Sequence, residues 1–138
     1  MMNELISKIH QEGITLALSN DGKIYTFHQR GIADLYNIYT ENQELLNNAI
    51  IADKVVGKGA ATIMIAGGVK RIHADVISIP AMKMLESSGI EISYTSLVPH
   101  IWNRTHTDWC PVEKRCRDIE TISGCLEQIK EFIEQLNK

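Results

Sequence analysis

The densest group of reactive side chains in the sequence lies in residues 101–116. This segment has no hydrophobic period, which indicates a loop, and functional groups are often carried by loops set on a rigid scaffold. Asn103 and Arg104 are suited to hold an anionic or amide-bearing ligand through directed hydrogen bonds. The alternative is that Arg104 forms a surface ion pair with Asp108, while the two tryptophans of the segment anchor the core or an interface.

Cys110 is the candidate nucleophile of this segment, because Pro111 follows it and proline is frequent at the first position of a helix. A helix that begins at Cys110 or Pro111 would lower the pKa of the thiol through the helix dipole and favour the reactive thiolate. Glu113 lies close to it in sequence and completes the predicted reactive pair. The alternative is that Cys110 is a small buried residue that fills space in the core.

Gly57, Lys58 and Gly59 form the second candidate site. They connect a short apolar run to a helix of small residues, and the free N–H groups at a helix start attract anions, to which Lys58 adds positive charge. The phosphate-loop pattern is absent, because it needs glycine in place of Ala52 and Ser or Thr in place of Gly59. Two interpretations remain, a generic anion site and a tight turn with a solvated lysine.

The histidines do not predict a metal site. Zinc deaminases combine His-x-Glu at one helix start with Pro-Cys-x-x-Cys at another. His10 and Glu12 match the first half by residue type only, and His73 with Asp75 lies in a predicted strand. A further group matches no common zinc spacing and lacks a fourth ligand: His106, Cys110 and Cys116. No catalytic triad can be assigned either, because triads are defined by geometry rather than by sequence position.

Hydrophobic periodicity and turn residues predict the elements that position these side chains. Asp21-Gly22 predicts the turn of a hairpin, and Ser78 is suited to cap a helix. In chain order the predicted elements are a helix over 2–11, strands over 14–18 and 24–27, one or two helices over 32–48, a strand over 49–53, a helix over 60–66, a strand over 74–77, a helix after 78, a strand over 90–94 and a long helix over 119–136. This order predicts a three-layer α/β/α domain with a mixed sheet.

The last predicted helix carries an apolar stripe with alternating spacings of three and four residues. Packing of this stripe onto the sheet is the favoured interpretation. Because so regular a stripe can also pair with a copy of itself, a homodimer through this helix is the alternative.

Length and composition restrict the class of protein. A chain of 138 residues is expected to form one domain, over residues 1–138, and can bury a core without disulfides. The formal net charge of −3 lacks the basic surplus that polynucleotide binding requires. No apolar stretch is long enough to span a bilayer, and the first residues do not form a secretory signal. Three cysteines are an odd number, so the prediction is a cytoplasmic protein with reduced thiols.

Three motifs in this order resemble a small prokaryotic family of unknown function whose fold is similar to that of the cytidine deaminases. The motifs are Asp53-Lys54-Val55-Val56-Gly57-Lys58-Gly59-Ala60-Ala61, then Ser78-Ile79-Pro80-Ala81, then Asn103-Arg104-Thr105 with Cys110-Pro111-Val112-Glu113-Lys114. The resemblance implies a deaminase-like layout in which Lys58-Gly59-Ala60 stands where a zinc deaminase has His-x-Glu. It also implies that Ala81 and Met84 replace the two cysteine ligands, so zinc-activated water has no support at those positions.

The leading prediction is therefore a deaminase-like domain that binds an anionic or nucleotide-like small molecule, such as a nucleotide or phosphorylated metabolite, without catalytic zinc or another cofactor. The predicted ligand-binding residues are Gly57, Lys58, Gly59, Ser78, Asn103 and Arg104. The predicted reactive residues are Cys110, Glu113 and Lys58. Two alternatives remain open, an enzyme that uses Cys110 as nucleophile or redox centre and a non-catalytic regulatory or assembly protein.

Overall fold

A computed structural model gives the fold of the chain, and residues 1–29, 32–103 and 105–137 are described. Within these ranges the elements are, in chain order, α1 (Met2–Ile9), β1 (Leu16–Asn20), β2 (Lys23–Phe27), α2 (Ala33–Glu41), a 3-10 turn (Gln43–Leu45), β3 (Ile50–Val56), α3 (Lys58–Gly67), β4 (Arg71–Ser78), α4 (Ile79–Glu86), β5 (Glu91–Val98), α5 (Pro111–Cys116) and α6 (Ile122–Leu136). None of the helices in the described residues combines the length and apolar composition needed to cross a membrane.

The five strands form one mixed sheet in the order β2-β1-β3-β4-β5. β1 pairs antiparallel with both β2 and β3, whereas β3, β4 and β5 are parallel to one another. The β1–β2 turn consists of Asp21 and Gly22, both with positive φ, at 51° and 78°. Positive φ at both central residues is the geometry of the predicted tight hairpin turn.

Helices cover both faces of the sheet and form two apolar clusters. Ile51 belongs to the larger cluster, with side chains from α2, α3, α4, α5 and α6, whereas Ala52 belongs to a smaller cluster with Leu5 and Ile9 of α1. Successive residues of a strand point to opposite faces, so α1 lies on one face and the other helices lie on the opposite face. This arrangement confirms the predicted three-layer α/β fold with a mixed sheet.

The starts of α3 and α4 lie at the same edge of the sheet, because each helix directly follows one of two neighbouring parallel strands. Ser78 ends β4 and caps α4, since its hydroxyl oxygen accepts a hydrogen bond from the backbone nitrogen of Ala81 at 3.2 Å. Such a cap satisfies one of the free N–H groups at a helix start. The sheet therefore brings two helix starts together, as the alternation of strands and helices predicts.

The C-terminal helix α6 packs on the chain itself. Cys125 and Ile129 of α6 are fully buried in the larger cluster, and Leu126 and Ile133 pack against its surface. The stripe is buried within the chain, but against α3 and α5 rather than directly on the sheet as predicted. A homodimer through α6 remains an untested prediction.

Candidate functional site

The N-terminus of α3 is occupied by a side chain of the protein. Glu113 of α5 is 1% exposed, and its Oε2 accepts a hydrogen bond from the backbone nitrogen of Lys58 at 2.5 Å. Its Oε1 lies 3.3 Å from the backbone nitrogen of Ile101, which donates to it. A carboxylate at a helix start satisfies free N–H groups and favours the helix dipole. The place where the sequence predicts a bound anion is thus already held by an internal one.

Gly57 and Gly59 allow α5 to approach the start of α3. A Cβ atom on Gly57 would lie 2.8 Å from Oε2 of Glu113, and a Cβ atom on Gly59 would overlap the side chain of Val112. Neither glycine has positive φ, so the close approach of α5 is what requires the absence of a side chain. The two glycines therefore accommodate a neighbouring helix, and their predicted role toward a ligand stays a prediction.

The side chain of Lys58 runs to the other end of α5. Lys58 is 8% exposed, and its Nζ donates to the carbonyl oxygens of Arg117 at 3.3 Å and Ile119 at 2.5 Å. Carbonyl groups at a helix C-terminus lack partners within the helix, and a lysine can satisfy them. Lys58 thus binds α5 at both ends, through its backbone to Glu113 and through its side chain to the segment that follows the helix.

Asn103 organises the loop before α5. Its Oδ1 accepts hydrogen bonds from the backbone nitrogen of Thr107 at 3.0 Å and from Oγ1 of Thr105 at 3.3 Å, and its Nδ2 donates to Oγ1 of Thr107 at 3.2 Å. Arg104 lies outside the described residues. Asp108 accepts a hydrogen bond from Nζ of Lys114 at 2.8 Å, and this bond lowers the pKa of the carboxyl. Of the predicted ligand-binding residues, Asn103 therefore has internal partners for both polar atoms of its side chain.

Cys110 precedes the first residue of α5, as predicted, and is partly buried. Its backbone nitrogen donates to the carbonyl oxygen of Ile101 at 2.7 Å, and the residue packs against the larger apolar cluster. Glu113, its predicted partner, has both carboxylate oxygens bonded to backbone N–H groups. The catalytic roles assigned to Cys110 and Glu113 are tested by no contact in the structure and stay predictions.

The other two cysteines are buried side by side where α5 meets α6. Burial, followed by the neighbouring Cys125, raises the pKa of the Cys116 thiol to about 12. All three cysteines of the chain are free thiols. Cys116 is fully buried whereas His106 is on the exposed loop, so the structure does not bring together the histidine and cysteines considered above. Among the described residues, no group of three or more His, Cys, Asp or Glu side chains is arranged to hold a metal ion.

A cleft of about 800 Å³ lies between α4 and the connection from α5 to α6. It extends from the first residue of α3 and the first two residues of α4 to Ser87 and Ser88, which follow α4. Its basic residues are Lys58, Lys83 and Arg117, and its acidic residues are Asp118 and Glu120. The remaining lining residues are Ile65, Ile79, Pro80, Met84, Ser87, Ser88 and Ile122. The cleft thus combines an apolar surface with charges of both signs.

Arg117, at the edge of this cleft, contacts two other side chains. Its guanidinium group lies 5.4 Å from the centre of the Trp109 ring, and its Nε is 3.5 Å from Oδ2 of Asp118. Trp109 in turn stacks on His100 at 4.3 Å between ring centres. Stacking on an aromatic ring restricts an arginine without neutralising it. Arg117 therefore stands in a partly fixed position at the edge of the cleft.

Two clusters of polar side chains lie outside the cleft, and the sequence alone does not predict the contacts within either of them. On the α1 face of the sheet, Nδ1 of His73 is 2.8 Å from Oγ of Ser93, while Nε2 of His73 is 3.5 Å from Oδ1 of Asp75 and forms no hydrogen bond. The Asp75 carboxylate is bonded instead to Nε2 of His10, at 2.9 and 3.1 Å. Asp75 thus orients His10 rather than His73, and the group lacks the continuous hydrogen bonding of a Ser-His-Asp triad.

The second group is a pair of carboxyls, Asp34 in the first turn of α2 and Asp53 in β3. Asp34 is 8% exposed, and its Oδ2 accepts a hydrogen bond from the backbone nitrogen of Gln29 at 2.9 Å. Asp53 is partly buried, and its Oδ1 accepts a hydrogen bond from the backbone nitrogen of Val55 at 3.4 Å. Burial raises the pKa of Asp53 from 3.8 to about 8, the backbone hydrogen bonds from Val55 and Lys54 oppose this rise, and the charges of Asp34 and Asp75 add to it. Asp53 lies within β3, and its neighbours in the sequence do not reveal such an environment.

The family model described as TM1506, Domain of unknown function (DUF1893), matches residues 4–133. The chain belongs to this family. The match confirms the predicted family of unknown function and leaves the activity open. No curated protein matches the chain.

A solved structure of the same family agrees with this membership at the level of the fold. A DUF1893 family protein (TM1506) from Thermotoga maritima has a TM-score of 0.85 at 22% identity, and the match covers 94% of this chain and 88% of that one. The dCMP deaminase of cyanophage S-TIM5 has a TM-score of 0.46 at 12% identity, with 67% of this chain and 90% of that chain covered. A diaminohydroxyphosphoribosylaminopyrimidine deaminase/5-amino-6-(5-phosphoribosylamino)uracil reductase from T. maritima has a TM-score of 0.42 at 14% identity, covering 67% of this chain and 33% of that one. At these identities the comparisons bear on the fold alone.

Proposed function

We propose that this DUF1893 protein binds an anionic, nucleotide-like small molecule in the cleft between α4 and the α5–α6 connection, without catalytic zinc. The observation that carries the proposal is the position of Lys83 and Arg117, both exposed, around a cleft of about 800 Å³ whose lining is partly apolar and partly charged. This volume lies within the range of small-molecule sites, which are lined mainly by apolar side chains with a few placed polar groups.

The two parts of a nucleotide match the two parts of this cleft. Arginine and lysine side chains bind phosphate through charge-assisted hydrogen bonds, and Arg117 is already oriented by Trp109. Pro80, Met84 and Ile122 offer apolar surface for a flat ring. We therefore place the phosphate at Lys83 and Arg117 and the base against the apolar residues.

A second cleft, between α2 and the end of α3, supports this choice by contrast. It has a volume of about 740 Å³ and is lined by Glu41, Asn42, Gln43, Glu44, Asn47, Ala66, Gly67 and Gly68. With two carboxylates and no lysine or arginine, it disfavours an anion. The two clefts are similar in size, and the difference in their charged residues favours the first as the anion site.

The proposed roles of Lys58 and Ser78 are indirect. Lys58 holds the carbonyl groups of Arg117 and Ile119, and so positions the basic wall of the cleft. Ser78 caps the helix that carries Lys83 and is fully buried. Both residues are thus placed to shape the cleft, and neither is an informative first target for substitution.

Titration calorimetry with a nucleoside monophosphate and with the matching nucleoside tests the proposal. Loss of one charged hydrogen bond costs about 1.5–3 kcal/mol, so we expect Lys83→Ala and Arg117→Ala each to raise the Kd of the nucleotide by about tenfold to a hundredfold. The nucleoside should bind weakly and respond little to either substitution. Lys130→Ala, which removes an exposed lysine from α6, is the matched control.

The variant Asp118→Asn tests the same proposal through a gain, rather than a loss, of nucleotide affinity. Asp118 pairs with Arg117 at 3.5 Å and competes with an incoming anion, so its neutralisation should tighten nucleotide binding severalfold. Binding that is indifferent to Lys83, Arg117 and Asp118, or no binding by any nucleotide or phosphorylated sugar, would show the proposal to be wrong.

A further inference from the structure

The outer edge of β5 is long and unpaired in the described part of the chain. β5 has eight residues and pairs only with β4. Its residues are exposed or partly exposed throughout, and Tyr94 and Leu97 are each 44% exposed. Natural edge strands are usually short or protected by charged residues, proline or a bulge. The one charged residue in β5 is Glu91, at its start and 2.8 Å from Nε of Arg71.

The opposite edge of the sheet is protected in the usual way. β2 has only five residues, begins with the exposed Lys23 and has partly buried side chains at Ile24, Tyr25 and Phe27. By contrast, seven consecutive residues of β5, from Ile92 to Val98, carry no charge. The two edges of the sheet therefore differ. Of the two edge strands, β5 has the length and the uncharged composition expected of a strand that pairs with another chain.

The register of β5 shows which backbone groups face outward. The backbone nitrogen of Glu91 donates to the carbonyl oxygen of Lys70, the residue before β4. In a parallel pair, alternate residues direct both backbone groups to the neighbouring strand, so residues 91, 93, 95 and 97 face β4. The N–H and C=O groups that face outward are those of Ile92, Tyr94, Ser96 and Val98.

We propose that a second copy of this chain pairs with β5 in antiparallel orientation, with Thr95 on the two-fold axis, so that two sheets join into one. In this register Ile92 faces Val98 of the partner subunit and Tyr94 faces Ser96 of the partner subunit. These are hydrogen-bonded pairs, each of which exchanges two backbone hydrogen bonds. Every outward N–H and C=O group of Ile92, Tyr94, Ser96 and Val98 is then satisfied.

Charge and side-chain pairing also favour a second copy over an unrelated strand. No charged residue opposes another in this register, since Glu91 lies outside the paired region opposite Pro99 of the partner subunit. The two Thr95 residues form a cross-strand pair of a favourable type. A self-complementary patch of this kind is what a two-fold interface requires. The proposal does not depend on nucleotide binding in the cleft.

Sedimentation velocity over a range of chain concentrations tests the proposal. The wild type is expected to sediment as a species of twice the 15.5 kDa of one chain. Cα atoms of a non-hydrogen-bonded pair are only about 4.5 Å apart, so Thr95→Lys places two positive charges against each other and Thr95→Glu two negative charges. Each variant alone should dissociate to a monomer, and an equimolar mixture of the two should restore the dimer.

Thr26→Lys is the matched control, because Thr26 is exposed on β2 at the other edge and its substitution should leave the dimer intact. Ser96→Pro removes one outward N–H group without removing a bond to β4 and should also give a monomer, with an unchanged far-ultraviolet circular dichroism spectrum. A wild type that stays monomeric at every concentration overturns the proposal. So does a dimer that survives both Thr95 substitutions, or a mixture of the two variants that stays monomeric.

Discussion

The carboxylate of Glu113 lies 2.5 Å from the backbone nitrogen of Lys58, a residue 55 positions earlier in the chain. This contact places a buried anion from α5 at the start of α3, where a small-molecule anion would otherwise bind. It also moves the candidate ligand site away from the glycines and toward the exposed cations of the adjacent cleft. The contact leads to a first prediction about stability.

Replacement of Glu113 by Ala should destabilise the fold strongly. The substitution leaves the N–H groups of Lys58 and Ile101 buried without a partner, and each such loss costs about 1–3 kcal/mol. We expect the free energy of unfolding in urea to fall by about 2–6 kcal/mol, from the same principle applied to two groups. Glu120→Ala, which removes an exposed glutamate, should change it little.

The vacated helix start of Glu113→Ala should accept an anion from solution. A helix N-terminus with free N–H groups binds sulfate or phosphate. We expect sulfate to raise the Tm of Glu113→Ala more than that of the wild type, at ionic strength matched with chloride. Equal shifts in the two proteins would mean that the start of α3 has no intrinsic affinity for anions.

The close approach of α5 to α3 predicts a specific interaction between two small changes. A Cβ atom on Gly59 overlaps Val112, so Gly59→Ala should cost about 1–3 kcal/mol through overpacking. Val112→Ala removes the overlapping atoms, and the double variant should be more stable than the sum of the single effects predicts. Urea unfolding of all four proteins measures this coupling. Strict additivity would contradict the packing described here.

The ionisation of Asp53 should make stability depend on pH. Because its pKa is raised from 3.8 to about 8, mainly by loss of hydration, the folded state holds a proton that the unfolded chain releases above about pH 4. Stability is therefore lost as the pH rises from the unfolded value toward 8. The asparagine side chain of Asp53→Asn cannot ionise. The difference in Tm between this variant and the wild type should therefore increase, in favour of the variant, between pH 5 and pH 9. Asp118→Asn, whose side chain is 84% exposed in the wild type, should show no such trend.

The sequence is informative where structure is set by neighbouring residues. Asp21-Gly22 predicts the hairpin, Ser78 the start of α4, and Pro111 the start of α5, because turns and helix caps depend on a few adjacent side chains. The fold class follows from the alternation of strands and helices. The family resemblance follows from three motifs between Asp53 and Lys114.

The internal partners of the candidate site could not be predicted in this way. Glu113, Lys58 and Asn103 are residue types that bind ligands as readily as they bind backbone groups, and only the packing of α5 against α3 decides which partner they have. The environment of Asp53 likewise depends on α2, which lies elsewhere in the sequence. Contacts between segments distant in the sequence therefore determine the partners and environments of these side chains, which the residue types alone do not predict.

The reactivity of the three thiols tests whether Cys110 is a catalytic nucleophile, as the alternative of a Cys110-dependent enzyme requires. Cys110 is partly exposed, whereas Cys116 and Cys125 are buried and burial raises the pKa of Cys116 to about 12. Because the thiolate is the reactive species, iodoacetamide should label Cys110 alone in the folded protein and all three thiols in urea. The pH dependence of the Cys110 rate, followed by intact-mass spectrometry with Cys110→Ala as control, decides between nucleophile and space-filling residue. A rate that rises only near the ordinary cysteine pKa of about 8.5 removes the basis for that alternative, whereas fast labelling at pH 6 would favour it over the binding function proposed above.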